Sequence, residues 1–183
     1  MNFLKINLSL LCLDTVLIPL VQFVLTMMEQ MRIGIMGHSF VKHFRDFVNR
    51  DHKVDVNLNL SDTRVHFFGR GGLTLDRIKE LEHNIRQWGQ ADIVILILGD
   101  NDVGRSLSPS KMANEIIVAC EKVKKWTGSP RIVVLSMFPR FWKPCHHYFV
   151  QDYNQQAAAV NSCLQEVVDN ERGNFVWSCN SRV

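Results

Sequence analysis

The chain has 183 residues, of which 46% are hydrophobic and 21% charged, and its formal net charge is +3 at pH 7. This length predicts one globular domain with its own core, and the composition excludes a disordered or fibrous protein. The weak positive charge is spread along the chain without an aromatic-basic motif, so no nucleic-acid partner is expected.

An apolar extension over residues 1–30 precedes the predicted domain, which spans 31–183. The stretch 3–28 contains Asp14, and a central Asp costs about 2.5 to 3.5 kcal/mol in a membrane-spanning helix, so a clean transmembrane span is not expected. A signal peptide fits the length, but Lys5 is its sole positive charge and no small-residue cleavage site follows. An extension ahead of the natural domain start is the third alternative. Membrane contact is expected if this segment is retained; the protein is expected in the cytoplasm if the segment is not a signal, and otherwise in the secretory pathway.

The cysteines are odd in number, widely spaced and without a C-x-x-C pair, a pattern that excludes a disulfide framework and a zinc ribbon. Cys145, His146 and His147 are adjacent, and adjacent side chains diverge, whereas a metal needs converging ligands. No metal site is therefore expected. The five cysteines are Cys12, Cys120, Cys145, Cys163 and Cys179.

Short apolar runs alternate with amphipathic stretches from Arg32 onward, which is typical of β/α units. The run D-I-V-I-L-I-L at 92–98 indicates a parallel strand buried on both faces. The predicted strands are 33–36, 64–68, 92–98, 131–137 and 174–177, and the predicted helices are 40–48, 75–88, 109–126 and 153–168.

This alternation predicts an α/β protein, a flavodoxin-like three-layer α/β/α sandwich around a parallel five-stranded sheet in the order 2-1-3-4-5. In such sheets ligands bind beyond the carboxyl ends of the strands, where the strand order reverses. Three predicted loops lie at that edge, and they read G-H-S at 37–39, G-R-G-G-L-T at 69–74 and G-D-N-D at 99–102.

The serine of the first loop has two possible roles. Gly37 permits a sharp strand-to-helix reversal, and Ser39 then falls at or near the N-cap of the following helix. Serine is among the preferred N-cap residues, so Ser39 is interpreted either as a cap or as a nucleophile.

Together the three loops supply the groups that acyl transfer needs, namely a nucleophile and preorganised donors for the developing oxyanion. Ser39 can attack, while its own N–H, the N–H of Gly72 and the side-chain amide of Asn101 can hold the oxyanion. Taken singly, Gly71 and Gly72 fit simple turn residues, and Asn101 fits an Asx-turn. Their convergence on one sheet edge favours a site.

The blocks G-H-S, G-G-L-T and G-D-N-D resemble the first three sequence blocks of the SGNH, or GDSL-like, hydrolase superfamily, and the resemblance runs from Arg32 to the C-terminus. It implies the flavodoxin-like fold and hydrolysis of ester bonds in lipids, acylated sugars or small acyl substrates. It implies neither a metal nor an organic cofactor. Carried over, Ser39 is the nucleophile, and Ser39, Gly72 and Asn101 form the oxyanion hole, with Gly71 as the alternative second donor.

The chain departs from the family pattern twice. His38 stands where the family has Asp, and it is not expected to be the catalytic base, because a neighbouring residue on a tight turn points elsewhere. The final D-x-x-H block is absent, since Asp169 begins D-N-E-R, so the domain is expected to be C-terminally truncated. A serine without a base is a weak nucleophile. His146 and His147 can in principle reach the same edge, although a surface loop is the favoured interpretation.

The sequence therefore predicts an SGNH-type serine ester hydrolase acting on a small-molecule ester or acylated substrate, inactive if no base is present. The alternative is a non-catalytic module that binds a small acyl or sugar ligand on the same fold. A truncated domain that folds poorly is a third interpretation. The oligomeric state has no signal in the sequence.

Overall fold

The computed structural model describes residues 30–50, 55–105, 107–129, 131–141, 149–170 and 175–178. The apolar extension, apart from Gln30, and the Cys145-His146-His147 stretch lie outside these residues. The elements in chain order are β1 (Met31–Gly37), α1 (Ser39–Val48), β2 (Thr63–Gly69), a 3-10 helix (Leu75–Leu81), α2 (Glu82–Trp88), β3 (Ile93–Ile97), α3 (Pro109–Thr127), β4 (Arg131–Leu135), α4 (Val150–Asn170) and β5 (Phe175–Ser178).

The strands form one parallel sheet in the order β2-β1-β3-β4-β5. β1 pairs with β2 on one side and with β3 on the other, and β3 pairs with β4. These four strands confirm the predicted α/β fold class with its flavodoxin-like order. The backbone of Phe175–Ser178 runs parallel to β4 at the edge of the sheet.

Helices cover the two faces of the sheet unequally. Because the strand order reverses after β2, right-handed crossovers place α1 on one face and α2, α3 and α4 on the other. Val41 and Val48 of α1 pack in a small cluster with β1 and β2. The larger cluster, on the opposite face, includes Met36, Val94, Leu96, Ile116, Ile132 and Leu164.

The predicted helix 75–88 is divided into two in the structure. Its first part, Leu75–Leu81, is a 3-10 helix, and α2 follows from Glu82. A 3-10 helix has three residues per turn, so residues spaced by three lie in line on one face. Leu75, Ile78 and Leu81 have this spacing, and all three are buried. The α-helical period resumes with Ile85, four residues after Leu81.

The two long helices are amphipathic and pack against each other. α3 has 19 residues and α4 has 21, and each buries one apolar face in the larger cluster. α4 begins at Val150, earlier than the predicted 153. Among the described helices, none combines the length and the apolar character that crossing a membrane requires.

Candidate active site

The turn between β1 and α1 carries the predicted nucleophile. A Cβ on Gly37 would lie 2.2 Å from the carbonyl oxygen of Ile97, so the turn requires glycine. His38, not Ser39, is the N-cap of α1: its Nδ1 accepts a hydrogen bond from the Phe40 N–H at 3.3 Å. Ser39 is the first helical residue and is half-buried. Within the described residues no hydrogen bond engages its hydroxyl, so capping does not consume this group.

The second loop presents the two glycines at an open surface. A hydrogen bond of 3.4 Å from the Leu73 N–H to the Arg70 carbonyl closes a turn with Gly72 at φ +64°, a region that favours glycine. A Cβ on Gly71 or Gly72 would meet no atom within 4 Å. The Arg70 N–H donates to the Gly37 carbonyl at 3.0 Å, which ties this loop to the nucleophile turn.

The third loop is tied to the second through Asn101. Its Nδ2 donates to the Leu73 carbonyl at 2.8 Å, and an amide nitrogen carries two hydrogens, so one donor is left. Among the described residues, the hydrogen bond formed by the Asn101 side chain is this one to a different loop, and none to its oxygen makes the local Asx-turn considered for Asn101. The turn itself is closed by the Asp102 N–H, which donates to the Gly99 carbonyl at 2.8 Å.

Asp102 holds the start of the 3-10 helix against the third loop. Its carboxylate accepts from the Leu75 N–H at 3.1 and 3.3 Å. Nη1 of Arg105 bridges Asp102 and Asp76, at 3.0 and 2.9 Å. Burial raises the pKa of Asp102 against the opposing effect of Arg105. The hydrogen bond from Arg105, with help from Thr74, lowers the pKa of exposed Asp76 to about 2.

Asp100 is at the centre of a buried polar network. One of its oxygens, Oδ2, lies 2.8 Å from Nε2 of His38, and the two side chains are 5% and 7% exposed. The other oxygen accepts a hydrogen bond of 2.5 Å from the Tyr153 hydroxyl. Burial, and then the Asp100 charge, raise the pKa of Tyr153, so the phenol keeps its proton and acts as the donor.

Arg140 closes the outer side of this network. Its guanidinium stacks on the Tyr153 ring, 4.3 Å from the centroid, and its Nη2 lies 4.0 Å from Oδ1 of Asp100. Asn154 binds both backbone groups of Arg140, at 2.8 and 2.9 Å. Asn161 does the same for Met137, at 2.9 and 3.1 Å. The segment after β4 therefore follows α4 closely.

The structure places the three predicted site residues at the carboxyl edge of the sheet: Ser39 begins α1, and Gly72 and Asn101 lie on the loops after β2 and β3. The contact between His38 and Asp100 was not predicted from the sequence. Its signal was a histidine in place of the usual acid, opposite an acidic residue in the third loop. Tyr153 had no signal beyond its helical pattern, and His146 and His147 lie outside the described residues.

Two cavities lie beside these loops. One, of about 390 Å³, follows the free edge of β2 and is lined by His66, Phe68 and Trp88 among others. The second, of about 340 Å³, reaches the third loop at Asp102 and includes Leu75. Across the part of the chain that the structure describes, no three His, Cys, Asp or Glu side chains are grouped to hold a metal ion.

No model of a known protein family matches the chain, and no curated protein does. Solved structures do. An aryl esterase of M. smegmatis has a TM-score of 0.63 at 16% identity, with 80% of this chain and 83% of that chain covered. A GDSL-like lipase from Bacteroides thetaiotaomicron has a TM-score of 0.57 at 17% identity, with 81% and 68% covered. A member of the lipolytic protein G-D-S-L family from Veillonella parvula has a TM-score of 0.55 at 12% identity, with 79% and 76% covered. The chain has the fold of the SGNH, or GDSL-like, hydrolase superfamily, as its sequence blocks predict.

Proposed function

We propose that this chain is a serine ester hydrolase of the SGNH type, in which Ser39 attacks the acyl carbonyl of a small ester. The observation that carries the proposal is the Ser39 hydroxyl, which begins α1 without serving as its cap. The proposal also draws on the loops around this serine, which supply donors for an oxyanion. The ester class comes from the esterases and lipases that share the fold.

Three donors support charge stabilisation at this edge. The Ser39 N–H belongs to the first turn of α1, where backbone N–H groups have no partner within the helix, and the helix dipole there favours negative charge. Gly72 offers its N–H on an open turn. Asn101 offers its second amide hydrogen from a side chain already fixed by Leu73. Donors held in place before the reaction need no reorganisation when the charge develops.

Histidine side chains are the candidates for the base that activates Ser39. His38 is engaged at both ring nitrogens, by the Phe40 N–H and by Asp100. His43 is exposed one helical turn after Ser39, a spacing at which helix side chains are neighbours. His146 and His147, outside the described residues, are the other candidates.

The engagement of His38 also favours a second candidate function. A site with a serine and oxyanion donors but no base binds an ester or acylated ligand without turning it over, because an unactivated serine is a weak nucleophile. In that case the chain is a binding module for a small acyl ligand.

The test is hydrolysis of a short-chain p-nitrophenyl ester by the purified chain and its variants. Ser39→Ala is expected to remove all activity above background, and Asn101→Ala to lower kcat about 100- to 1000-fold, since it removes one oxyanion donor. Ser110→Ala and Asn84→Ala, both exposed helical positions, are the matched controls and are expected to retain the parent rate.

Further variants assign the base and separate the two functions. Loss of activity in His43→Ala identifies His43, and loss in the double variant His146→Ala/His147→Ala identifies that pair. Equal background rates in the parent, Ser39→Ala and Asn101→Ala contradict the hydrolase. Ester binding that persists in Ser39→Ala without hydrolysis in any variant supports the binding module.

A further inference from the structure

We infer that Asp100 is a positioning residue, which acts through His38 and Tyr153. It fixes the first loop, 37–39, which carries Ser39, relative to the third loop, 99–102, which carries Asn101. The inference rests on the proposed function. Asp100 immediately precedes Asn101, and His38 immediately precedes Ser39. The 2.8 Å contact between the two side chains therefore joins the direct neighbours of the two groups that must act together.

Three hydrogen bonds connect the loops pairwise. The Arg70 N–H donates to the Gly37 carbonyl and links the second loop to the first. The Asn101 side chain donates to the Leu73 carbonyl and links the third loop to the second. The contact between His38 and Asp100 links the third loop to the first, so that each of the three loops is bonded to the other two. Without it, the separation of Ser39 and Asn101 depends on the pairing of β1 with β3, which ends at Gly37 and Ile97, and on the second loop.

Each hydrogen bond of this network pairs one donor with one acceptor. Because Nδ1 of His38 accepts from the Phe40 N–H, the ring carries its hydrogen on Nε2, which donates to the Asp100 carboxylate. A hydrogen bond to an ionised acceptor is stronger than one between neutral groups. Tyr153 is 1% exposed, and its hydroxyl donates to the other carboxylate oxygen, which fixes the rotation of the Asp100 side chain.

The contact can be tested by exchanging its donor, His38, and its acceptor, Asp100. His38→Gln keeps an N–H donor at a similar reach, and its kcat is expected to stay within about threefold of the parent. His38→Glu opposes two carboxylates, and we expect kcat to fall about 10- to 100-fold with KM unchanged, because small misplacements of reacting groups have effects of this size. Adding Asp100→Asn to His38→Glu restores a donor and an acceptor with reversed polarity, and most of the loss is expected to be recovered. Tyr153→Phe, which frees one Asp100 oxygen, is expected to lower kcat several-fold.

A second readout does not depend on turnover. The Ser39 oxygen is expected to add to the trigonal boron of a short-chain alkylboronic acid, forming a B–O bond and releasing the hydroxyl proton to water; ¹¹B NMR detects the tetrahedral adduct. The parent is expected to form the adduct and Ser39→Ala is not. His38→Glu is expected to weaken adduct formation about 10-fold or more, and the His38→Glu/Asp100→Asn double variant to recover it.

The control for general destabilisation is Thr127→Val. Thr127 is buried, as His38 and Asp100 are, and its hydroxyl donates to the Val123 carbonyl at 2.9 Å. It lies at the end of α3, at the amino-terminal edge of the sheet. It is expected to lower the unfolding midpoint without changing kcat or the adduct. Parent-like kcat and adduct in His38→Glu, or no recovery in the double variant, overturn the role of Asp100. A parent that shows neither Ser39-dependent hydrolysis nor an adduct overturns the proposed function itself.

Discussion

At Gly69, where β2 ends, the backbone of α1 leaves no space for a side chain. A Cβ there would lie 2.2 Å from the Lys42 nitrogen and 2.6 Å from its Cα, and backbone atoms of a helix cannot move aside cheaply. Gly69→Ala is therefore expected to lower the free energy of unfolding by about 1 to 3 kcal/mol, as overpacking does. Urea unfolding followed by circular dichroism measures the change.

Gly71→Ala is the matched control for that prediction, two residues further along the same loop. A Cβ there meets nothing within 4 Å, and Gly71 is not among the glycines with positive φ. Its free energy of unfolding is expected to stay within about 0.5 kcal/mol of the parent. Equal losses in both variants would contradict the steric argument, since the two substitutions differ in what the new methyl group contacts.

Site residues differ in how far the sequence could predict them. Ser39, Gly72 and Asn101 follow apolar strands directly, so chain order alone puts them at one sheet edge. The partner of His38 lies 62 residues away, and the orientation of the imidazole depends on a contact that no local pattern encodes. The positions of the loops could therefore be predicted from the sequence, whereas the side-chain contacts that hold the loops together could not.

The N-terminus of α3 shows what a local signal can predict at the scale of an element. Serine is a preferred N-cap residue, and two serines, Ser108 and Ser110, flank Pro109 at the start of α3. In the structure Ser108 is the cap: its Oγ accepts a hydrogen bond from the Lys111 N–H at 3.3 Å, and Pro109 lies in the first turn. Ser108→Ala is expected to lower the free energy of unfolding by about 1 kcal/mol. The shift in urea midpoint, at an unchanged slope, is the measurement.

Ser110→Ala tests whether that loss comes from the cap. Ser110 lies inside the first turn of α3 and contacts the Ser108 hydroxyl at 3.3 Å without capping a backbone N–H in the described structure. Its substitution is expected to change stability by less than about 0.5 kcal/mol. A larger loss of stability in Ser110→Ala than in Ser108→Ala would contradict the assignment of Ser108 as the cap.

Element boundaries were predictable where their chemistry is local. The start of α3 follows from Ser108 and Pro109, and its end from Gly128, which adopts φ +62°. The start of the 3-10 helix is different, because the Leu75 N–H is bound by Asp102, 27 residues further on. A contact of that range is not visible in the sequence. The helical span 75–88 was predicted with its bounds, but its division into a 3-10 helix and α2 was not.

For the whole molecule, strand order was predictable because alternation and handedness leave few topologies. Four strands and four helices fix which loops share an edge. The cover of the two faces follows from the same reversal of strand order. What the topology does not supply is an acid-base group, which is a property of individual side chains. Fold and site loops could therefore be predicted together, whereas hydrolysis depends on the side chain that acts as the base for Ser39.

The pH dependence of stability is a whole-molecule property to which His66 contributes. Its ring lies 4.5 Å from Phe68 and 5.6 Å from Trp88, measured between ring centroids. Loss of hydration, and then the charges of Arg64 and Arg45, lower the pKa of His66 in the folded protein. In the unfolded chain the pKa of a histidine is about 6.5. Below that pH the unfolded chain therefore binds a proton at His66 more readily than the folded chain does. This contribution to stability is fully present above about pH 6.5 and is lost as the pH falls from there through the folded pKa.

We therefore expect the urea midpoint of the parent to fall more between pH 7.5 and pH 5.5 than that of His66→Gln, at constant ionic strength. The substitution also removes ring contacts, so its midpoint is expected to be lower at both pH values, and the difference across pH carries the information. His83→Gln, at an exposed position of α2, is the matched control and is expected to keep the parent's pH dependence. If parent and His66→Gln lose the same midpoint on acidification, protonation of His66 does not oppose folding, and the β2 edge is more hydrated than its aromatic contacts indicate.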